Sequence, residues 1–166
     1  MYVSLIADLL HAGHIRILQE ASKHGEVTVG LLTDSAISSY KKLPHLNYKQ
    51  REIILKNIKF VKKVLPQDTL DYTKNLLHLK PDYVVHGDDW KTGIQKKTRQ
   101  RVIDTIKEWS GQLVEPKYTE GVSSTQLINM IKEKGPQKYL GTHDQFKIQK
   151  VSESLRFIFL ICGCFC

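Results

Sequence analysis

The chain has 166 residues, of which 41% are hydrophobic and 25% are charged. This length and composition indicate one globular domain with a short appendage, and they exclude a disordered chain. The formal net charge of +8 favours anionic partners, either polyphosphate substrates or nucleic acid. All cysteines fall in the last five residues, so the sequence predicts neither a disulfide scaffold nor a zinc site.

Short apolar runs alternate with segments of helical periodicity through residue 134. This alternation predicts an α/β fold, a Rossmann-like doubly wound parallel sheet of about five strands covered on both faces. The predicted strands are Tyr2–Ala7, Val27–Leu32, Phe60–Leu65 (closed by Pro66), Tyr83–His86 and Gln112–Glu115. The predicted helices are Gly13–Lys23, Tyr48–Ile58, Leu70–Leu79, Thr98–Trp109 and Ser123–Lys134, the last with its first serine as N-cap.

The character of the chain changes at Gly135-Pro136, which divides it into a domain over residues 1–134 and a C-terminal tail over residues 135–166. The apolar end of the tail, Phe157–Cys166, is too short to span a bilayer. An edge strand, a dimer contact and a truncated or altered C-terminus are the interpretations left open for it. No basic leader precedes the first apolar strand, so we expect no signal peptide, no membrane span and a cytoplasmic location.

Two histidines open the first predicted helix, in the segment His11-Ala12-Gly13-His14 directly after the first strand. The N-terminus of a helix offers unpaired backbone N–H groups to an anion, and Gly13 lets a phosphate approach the backbone closely. The imidazoles add hydrogen bonds to the charge that develops on a transferring phosphoryl group. His11 and His14 are therefore the first candidate catalytic residues.

Three further groups follow the ends of predicted strands, where ligands bind in sheets of this kind. The acidic pair of Gly87-Asp88-Asp89-Trp90 suits a ribose, a cation or an acceptor amine, and its indole offers a face for stacking. The loop over residues 118–125 runs into a hydroxyl-rich first helical turn, which predicts a second phosphate cradle. The preferred basic ligands, after the second strand, are Lys41, Lys42 and Arg51.

These segments together resemble the nucleotidyltransferase superfamily that carries an HxGH motif, and within it the cytidylyltransferases. The resemblance runs from about residue 2 to residue 132, and its motifs, in the family's order, are Asp8-Leu9-Leu10-His11, Gly87-Asp88-Asp89-Trp90 and Glu120-Gly121-Val122-Ser123-Ser124-Thr125. A narrower resemblance is to the phosphonate cytidylyltransferase domain that is often fused to phosphoenolpyruvate mutase. It is carried by the stretches Tyr2–His11, Gly30–Asp34, Leu46–Arg51, Lys80–Trp90 and Lys96–Arg101.

The resemblance implies transfer of CMP from CTP to a small phosphonate, 2-aminoethyl- or 2-hydroxyethylphosphonate, with release of pyrophosphate. It implies that Mg²⁺ accompanies CTP on the phosphate oxygens without a dedicated protein metal site, and that the enzyme is a homodimer. The implied catalytic residues are His11, His14, Lys41 and Ser123. The implied acceptor-binding residues are Arg51 and Tyr118, and the implied nucleotide-binding residues are Asp8, Gly13, Lys42, Gly87, Asp88, Asp89, Trp90, Gly121, Val122, Ser124 and Thr125.

Two departures from the family pattern shift the expected acceptor toward a phosphonate. Leu5-Ile6-Ala7-Asp8 replaces the common Gly-Thr-Phe-Asp, and Tyr118 replaces an arginine whose charge Lys117, Arg99 or Arg101 could supply. Glycerol 3-phosphate or phosphoethanolamine as the acceptor, and adenylyl transfer on the same fold, are the alternatives. A nucleic-acid-binding module is not supported, because the chain has neither an aromatic stacking platform nor a recognition-helix pattern.

Overall fold

A computed structural model describes residues 1–117, 119, 121 and 123–134. Residues Met1–Asn129 form one compact unit. The second unit, Met130–Cys166, is described only over residues 130–134, which are helical. The predicted tail over residues 135–166 therefore lies outside the described residues.

Five strands form one parallel sheet in the order β3-β2-β1-β4-β5. The chain moves outward from β1 to β3 and then returns to add β4 and β5 on the other side of β1, which confirms the predicted doubly wound fold. In such a sheet the crevice for ligands lies at the carboxyl ends of the strands where the order reverses, here β1 and β4. The strands are Tyr2–Leu5 (β1), Val27–Leu32 (β2), Val61–Gln67 (β3), Tyr83–Val85 (β4) and Gln112–Val114 (β5).

Helices cover both faces of the sheet. On one face, Leu18 and Leu55 pack in a core cluster with strand residues of β1 and β2, and on the other Leu76 and Ile106 pack around Tyr2. No helix among the described residues is long and apolar enough to cross a lipid bilayer. The helices are Ala12–Ser22 (α1), Asp34–Ser38 (α2), Tyr48–Lys56 (α3), Thr73–Leu79 (α4), Lys96–Ile106 (α5) and Ser124–Lys134 (α6), with 3₁₀ turns at Asp88–Lys91, Gly93–Gln95 and Lys107–Trp109.

The sequence prediction was wrong about the end of β3 and missed α2. Pro66 lies inside β3, and this is possible because β3 is at the edge of the sheet, where a missing N–H breaks no ladder on the outer side. Helix α2 is too short to show a helical period in the sequence. It begins after Thr33, whose side chain accepts the N–H of Ala36 at 3.2 Å.

Candidate active site

The two histidines of the β1–α1 turn are held by the protein's own backbone. His11 is the N-cap of α1, and its Nδ1 accepts the N–H of Gly13 at 3.1 Å. The Nδ1 of His14 accepts the backbone N–H of His11 at 3.4 Å, and the two ring centroids lie 4.0 Å apart. Because each Nδ1 accepts a hydrogen bond, the proton of each neutral ring is on Nε2.

Both imidazoles are neutral near pH 7. Burial, with smaller contributions from His11 and Lys41, lowers the pKa of His14 to about 4, although the charge of Asp8 opposes the shift. Burial also lowers the pKa of His11. The pair therefore offers two Nε2–H donors at the carboxyl end of β1.

This geometry corrects the expected origin of anion binding at the turn. The sequence suggested unpaired backbone N–H groups, but those of His11 and Gly13 are bonded to imidazole nitrogens, and that of His14 donates to the carbonyl of His11 at 3.0 Å. Each imidazole accepts a backbone N–H of the helix terminus through Nδ1 and presents Nε2–H as a donor.

Asp8 joins the turn to two other segments. Its carboxylate accepts the backbone N–H groups of His45 at 3.0 Å and Leu46 at 3.2 Å, and its carbonyl accepts the hydroxyl of Ser124 at 2.9 Å. Burial alone would raise the pKa of Asp8, but the hydrogen bonds from His45 and Leu46 outweigh burial and lower it. The sequence predicted that Asp8 contacts the nucleotide; in the structure its carboxylate instead accepts hydrogen bonds from the loop at residues 45–46.

Asp8 lies between two residues with left-handed backbone. The φ angles of Ala7 and Leu9 are 55° and 48°, and this region costs residues with a side chain about 1–2 kcal/mol each. Such strain is found where surrounding contacts determine the conformation. The bonds of Asp8 to His45, Leu46 and Ser124 are contacts of that kind.

Arg51 is a buried strut and not an acceptor ligand. Its side chain is 0% exposed, and Nη2 is 2.6 Å from a carboxylate oxygen of Asp34. The other guanidinium nitrogens donate to the carbonyls of Ile6, Leu32 and Leu46 at 2.6, 2.9 and 3.0 Å. The prediction of acceptor binding is wrong for this residue, because the protein's own oxygens enclose the guanidinium.

The loop after α2 brings a lysine to the histidines. The ammonium of Lys41 contributes to the lowered pKa of His14. Burial lowers the pKa of Lys41 itself, and the charge of Asp8 opposes that shift. The charge of Lys41 therefore acts on His14 and interacts with Asp8, although Lys41, like Lys42 beside it, is exposed by its solvent-accessible surface.

The N-terminus of α6 supplies hydroxyl groups. The Oγ of Ser123 accepts the N–H of Gln126 at 3.1 Å, which confirms the predicted N-cap and leaves the hydroxyl hydrogen able to donate. Ser124 uses its hydroxyl on Asp8, and Thr125 is exposed. Gly121 has a left-handed φ of 77°. The predicted ligands Tyr118 and Val122 lie outside the described residues.

Trp90 does not offer a stacking face to a ligand. The residue is 1% exposed, and its ring stacks on His86 with centroids 3.9 Å apart and on Tyr72 with centroids 5.9 Å apart. The indole N–H donates to Glu115 at 2.7 Å. The predicted nucleotide contact of Trp90 is therefore wrong, since its ring belongs to the core under the β4 end.

The sequence analysis missed Glu115, the residue directly after β5. Its carboxylate accepts two hydrogen bonds from Arg99, at 2.7 and 2.8 Å, besides the one from Trp90. The bonds from Arg99, opposed by burial and assisted by Trp90, lower the pKa of Glu115 to about 2. A carboxylate at a strand end was the available signal. Arg99 is thus paired, as is Arg101 with Asp71 at 2.9 Å, and a role of either arginine in supplying the missing family charge stays a prediction.

His86 was also missed, because it was assigned to the end of an apolar strand. Its Nδ1 lies 2.8 Å from the carbonyl oxygen of Gly87 and 3.8 Å from a carboxylate oxygen of Asp89. Burial lowers the pKa of His86, opposed by the bond to Gly87 and by the charges of Asp89 and Glu115. The 3₁₀ turn from Asp88 is fastened to the β5 end, where the N–H of Asp88 donates to Pro116 at 3.2 Å.

A doubly wound sheet with imidazole donors, a lysine and a serine-capped helix gathered at the carboxyl ends of its strands is the arrangement of an α/β enzyme that handles a nucleotide. Residues 6–130 match the sequence model of the family described as Cytidylyltransferase-like, and the chain belongs to that family. It is therefore a nucleotidyltransferase.

Characterised relatives show how far the similarity extends. The chain is 34% identical over 130 residues to the ethanolamine-phosphate cytidylyltransferase of Dictyostelium discoideum, covering 77% of this chain and 35% of that protein. It is 30% identical over 122 residues to the glycerol-3-phosphate cytidylyltransferase of Bacillus subtilis, covering 72% of this chain and 87% of that protein. The chain thus spans about a third of the first relative's length and most of the second's.

A solved structure shares the fold. The lipopolysaccharide core biosynthesis protein from Thermoplasma volcanium superposes with a TM-score of 0.60 at 24% identity, over 71% of this chain and 96% of that one. At this identity the likeness concerns the arrangement of strands and helices, and it agrees with the doubly wound sheet described above.

Proposed function

We propose that this protein transfers CMP from CTP to a small acceptor that carries a phosphate or phosphonate group, and releases pyrophosphate. One observation carries the proposal: His11 and His14 are neutral, braced by backbone N–H groups, and present Nε2–H donors at the carboxyl end of β1. Preorganised donors of this kind stabilise charge that develops on phosphate oxygens.

The names of the relatives favour a phosphate ester as the acceptor. One relative is named for ethanolamine phosphate and another for glycerol 3-phosphate. We therefore place phosphoethanolamine and glycerol 3-phosphate ahead of 2-aminoethyl- and 2-hydroxyethylphosphonate, the acceptors that the sequence analysis put first. Fusion to, or partnership with, a mutase and a role in phosphonate biosynthesis stay predictions from the narrower resemblance.

The proposed reaction is a direct displacement. An oxygen of the acceptor's phosphate attacks the α-phosphorus of CTP, a new P–O bond forms, and the bond to the oxygen that bridges to the β-phosphate breaks. The electron pair of that bond leaves with pyrophosphate. The attacking oxygen is already ionised near pH 7, so the protein's task is positioning and charge stabilisation.

Each segment has a proposed role in that task. The Nε2–H groups of His11 and His14 donate to the phosphate oxygens around the reacting phosphorus. Lys41 adds a positive charge beside His14. The hydroxyls of Ser123 and Thr125 at the start of α6 bind the departing β- and γ-phosphates.

We propose that Mg²⁺ enters with CTP. Mg²⁺ keeps several waters and is usually held through substrate phosphates plus one or two carboxylates. Within the part of the chain that the structure describes, no group of three histidine, cysteine, aspartate or glutamate side chains could hold a metal. The described residues therefore do not form a protein cage for the ion, and no step of the proposed reaction depends on one.

The decisive experiment measures pyrophosphate release from CTP and Mg²⁺ with phosphoethanolamine, glycerol 3-phosphate and the two phosphonates, and repeats the best pair with ATP. Replacing His14 by alanine should lower kcat by about 10²–10³. His24→Ala is the matched control, because this exposed histidine precedes β2 at the opposite end of the sheet. Near-normal turnover in His14→Ala would contradict the proposal. The homodimer stays a prediction that light scattering of the purified protein tests.

A further inference from the structure

The imidazole of His86 carries its proton on the other nitrogen from His11 and His14. A carbonyl oxygen can only accept a hydrogen bond, so the 2.8 Å contact from Nδ1 to the carbonyl of Gly87 places the ring proton on Nδ1. The Nε2 of the neutral ring then carries a lone pair. His86 can accept a hydrogen bond from a ligand, which the histidines of the β1–α1 turn cannot do while Nδ1 is occupied.

The contacts of His86 with described residues leave Nε2 as the ring nitrogen without a hydrogen bond. The side chain is 15% exposed, and Trp90 stacks on it at an interplanar angle of 9°. Among the described residues, no buried side-chain nitrogen or oxygen lacks a hydrogen-bond partner, and no described group bonds Nε2 of His86. Among the described residues, Nε2 of His86 is therefore a ring nitrogen without a hydrogen-bond partner.

Two carboxylates act on the imidazole of His86. That of Asp89 lies 3.8 Å from Nδ1, and that of Glu115, which is itself paired with Arg99 and Lys91, also acts on the ring. A lone pair in a negative field attracts hydrogen-bond donors, above all cationic ones, and disfavours anions. His86, the first residue after β4, therefore favours hydrogen-bond donors as ligands, whereas His11 and His14 after β1 favour anions.

The geometry points to a recognition site for an N–H donor, formed by the Nε2 of His86 with the carboxylate of Asp89. This inference rests on the proposed function. Its reaction brings two such donors into the crevice between β1 and β4: the ammonium of an amine-bearing acceptor and the exocyclic amine of CTP. The negative field favours the ammonium. His86 and Asp89 are therefore specificity-determining residues, and the acceptor is of the aminoethyl class.

The test compares substrates that carry an amine with matched substrates that lack it. Phosphoethanolamine is paired with propyl phosphate, in which a methyl replaces the ammonium, and CTP is paired with UTP. The variants are His86→Phe, which keeps a flat ring against Trp90, and Asp89→Asn at a side chain that is 53% exposed. His24→Phe is the control at the far end of the sheet.

In His86→Phe, the ratio of kcat/KM for phosphoethanolamine to that for propyl phosphate should fall by about 10- to 100-fold, the effect of losing one hydrogen bond to a charged group. Asp89→Asn should lower the same ratio by a smaller factor and His24→Phe should leave it unchanged. If the CTP-to-UTP ratio falls instead, the donor is the amine of the nucleotide. Equal losses for every substrate, or unchanged ratios, would overturn the inference.

Failure of the proposed function is a separate outcome. It would appear as absence of pyrophosphate release by the unaltered protein with every acceptor. The same pairs are then compared by calorimetric binding to the unaltered protein and to His86→Phe. Preferential binding of the amine-bearing member that is lost in His86→Phe supports the N–H site, and unchanged or absent discrimination overturns it.

Discussion

The histidines at the two sides of the crevice differ in the atom that they offer to a ligand. After β1, His11 and His14 accept backbone N–H groups through Nδ1 and offer Nε2–H. After β4, His86 donates from Nδ1 to a carbonyl and offers the lone pair of Nε2. The local backbone makes the difference, because a helix N-terminus presents unpaired N–H groups, whereas the carbonyl of the residue after His86 faces its own ring. One residue type thus serves opposite ligands.

The largest expected effect is on stability, and it differs between Arg51, which supports the β1 side of the crevice, and Arg99, which supports the β4 side. Arg51→Leu should cost about 3–5 kcal/mol of unfolding free energy, because it leaves Asp34 and the carbonyls of Ile6, Leu32 and Leu46 without their partner. Arg99→Leu should cost about 1 kcal/mol or less, since this pair with Glu115 is 28% exposed at the arginine. Urea unfolding of both variants measures the difference, and equal costs would remove this distinction between the two sides.

The next prediction distinguishes the helix-capping role of His11 from its catalytic role. Asparagine is a good N-cap, so His11→Asn should keep the bond to Gly13 and the thermal stability while losing the Nε2–H donor. We expect kcat to fall by about 10²–10³. His11→Ala should lose activity and about 1 kcal/mol of stability together. Full activity in His11→Asn would show that the ring serves only as a cap.

Acidification tests whether the histidines on both sides are buried in the neutral form. The pKa values of His11, His14 and His86 are lowered, so as pH falls the unfolded chain binds protons before the folded one. Stability is therefore full above the ordinary histidine pKa of 6.5 and is lost as pH falls from 6.5 toward about 4.

For His14 the expected loss between pH 7 and pH 5 is about 2 kcal/mol. Urea unfolding at the two pH values measures it, and His14→Gln should show a smaller difference between them than the unaltered protein. A stability that does not change over this interval would mean that the rings are not held neutral.

The smallest effect concerns the brace behind His86. Trp90→Phe keeps a ring against His86 but removes the indole N–H that donates to Glu115 at 2.7 Å. The unfolding free energy should fall by about 1 kcal/mol. The preference for the amine-bearing acceptor should fall less than in His86→Phe. A loss as large as that of His86→Phe would move the recognition role from the imidazole to the indole.

Corrections to the predicted site share one cause. Asp8, Arg51 and Trp90 each lie near the end of a strand, where a charged or aromatic side chain is expected to face a ligand. Each instead meets a partner distant in the chain, such as the backbone of His45 for Asp8 and the carboxylate of Glu115 for Trp90. Because such partners are adjacent only in the folded protein, the local sequence pattern is the same for a ligand contact and for an internal brace.

The sequence by itself determined the features that depend on residues close together in the chain. Alternating apolar strands and helices predicted the doubly wound sheet, and Ser123 predicted a helix start, because periodicity and capping involve residues within a few positions of each other. Only the tertiary structure decided which nitrogen of each histidine carries the proton and what surrounds it. His86 became a candidate only when Trp90 and the carboxylates of Asp89 and Glu115 were seen around it, since burial and electric field are sums over neighbours that the fold alone brings together.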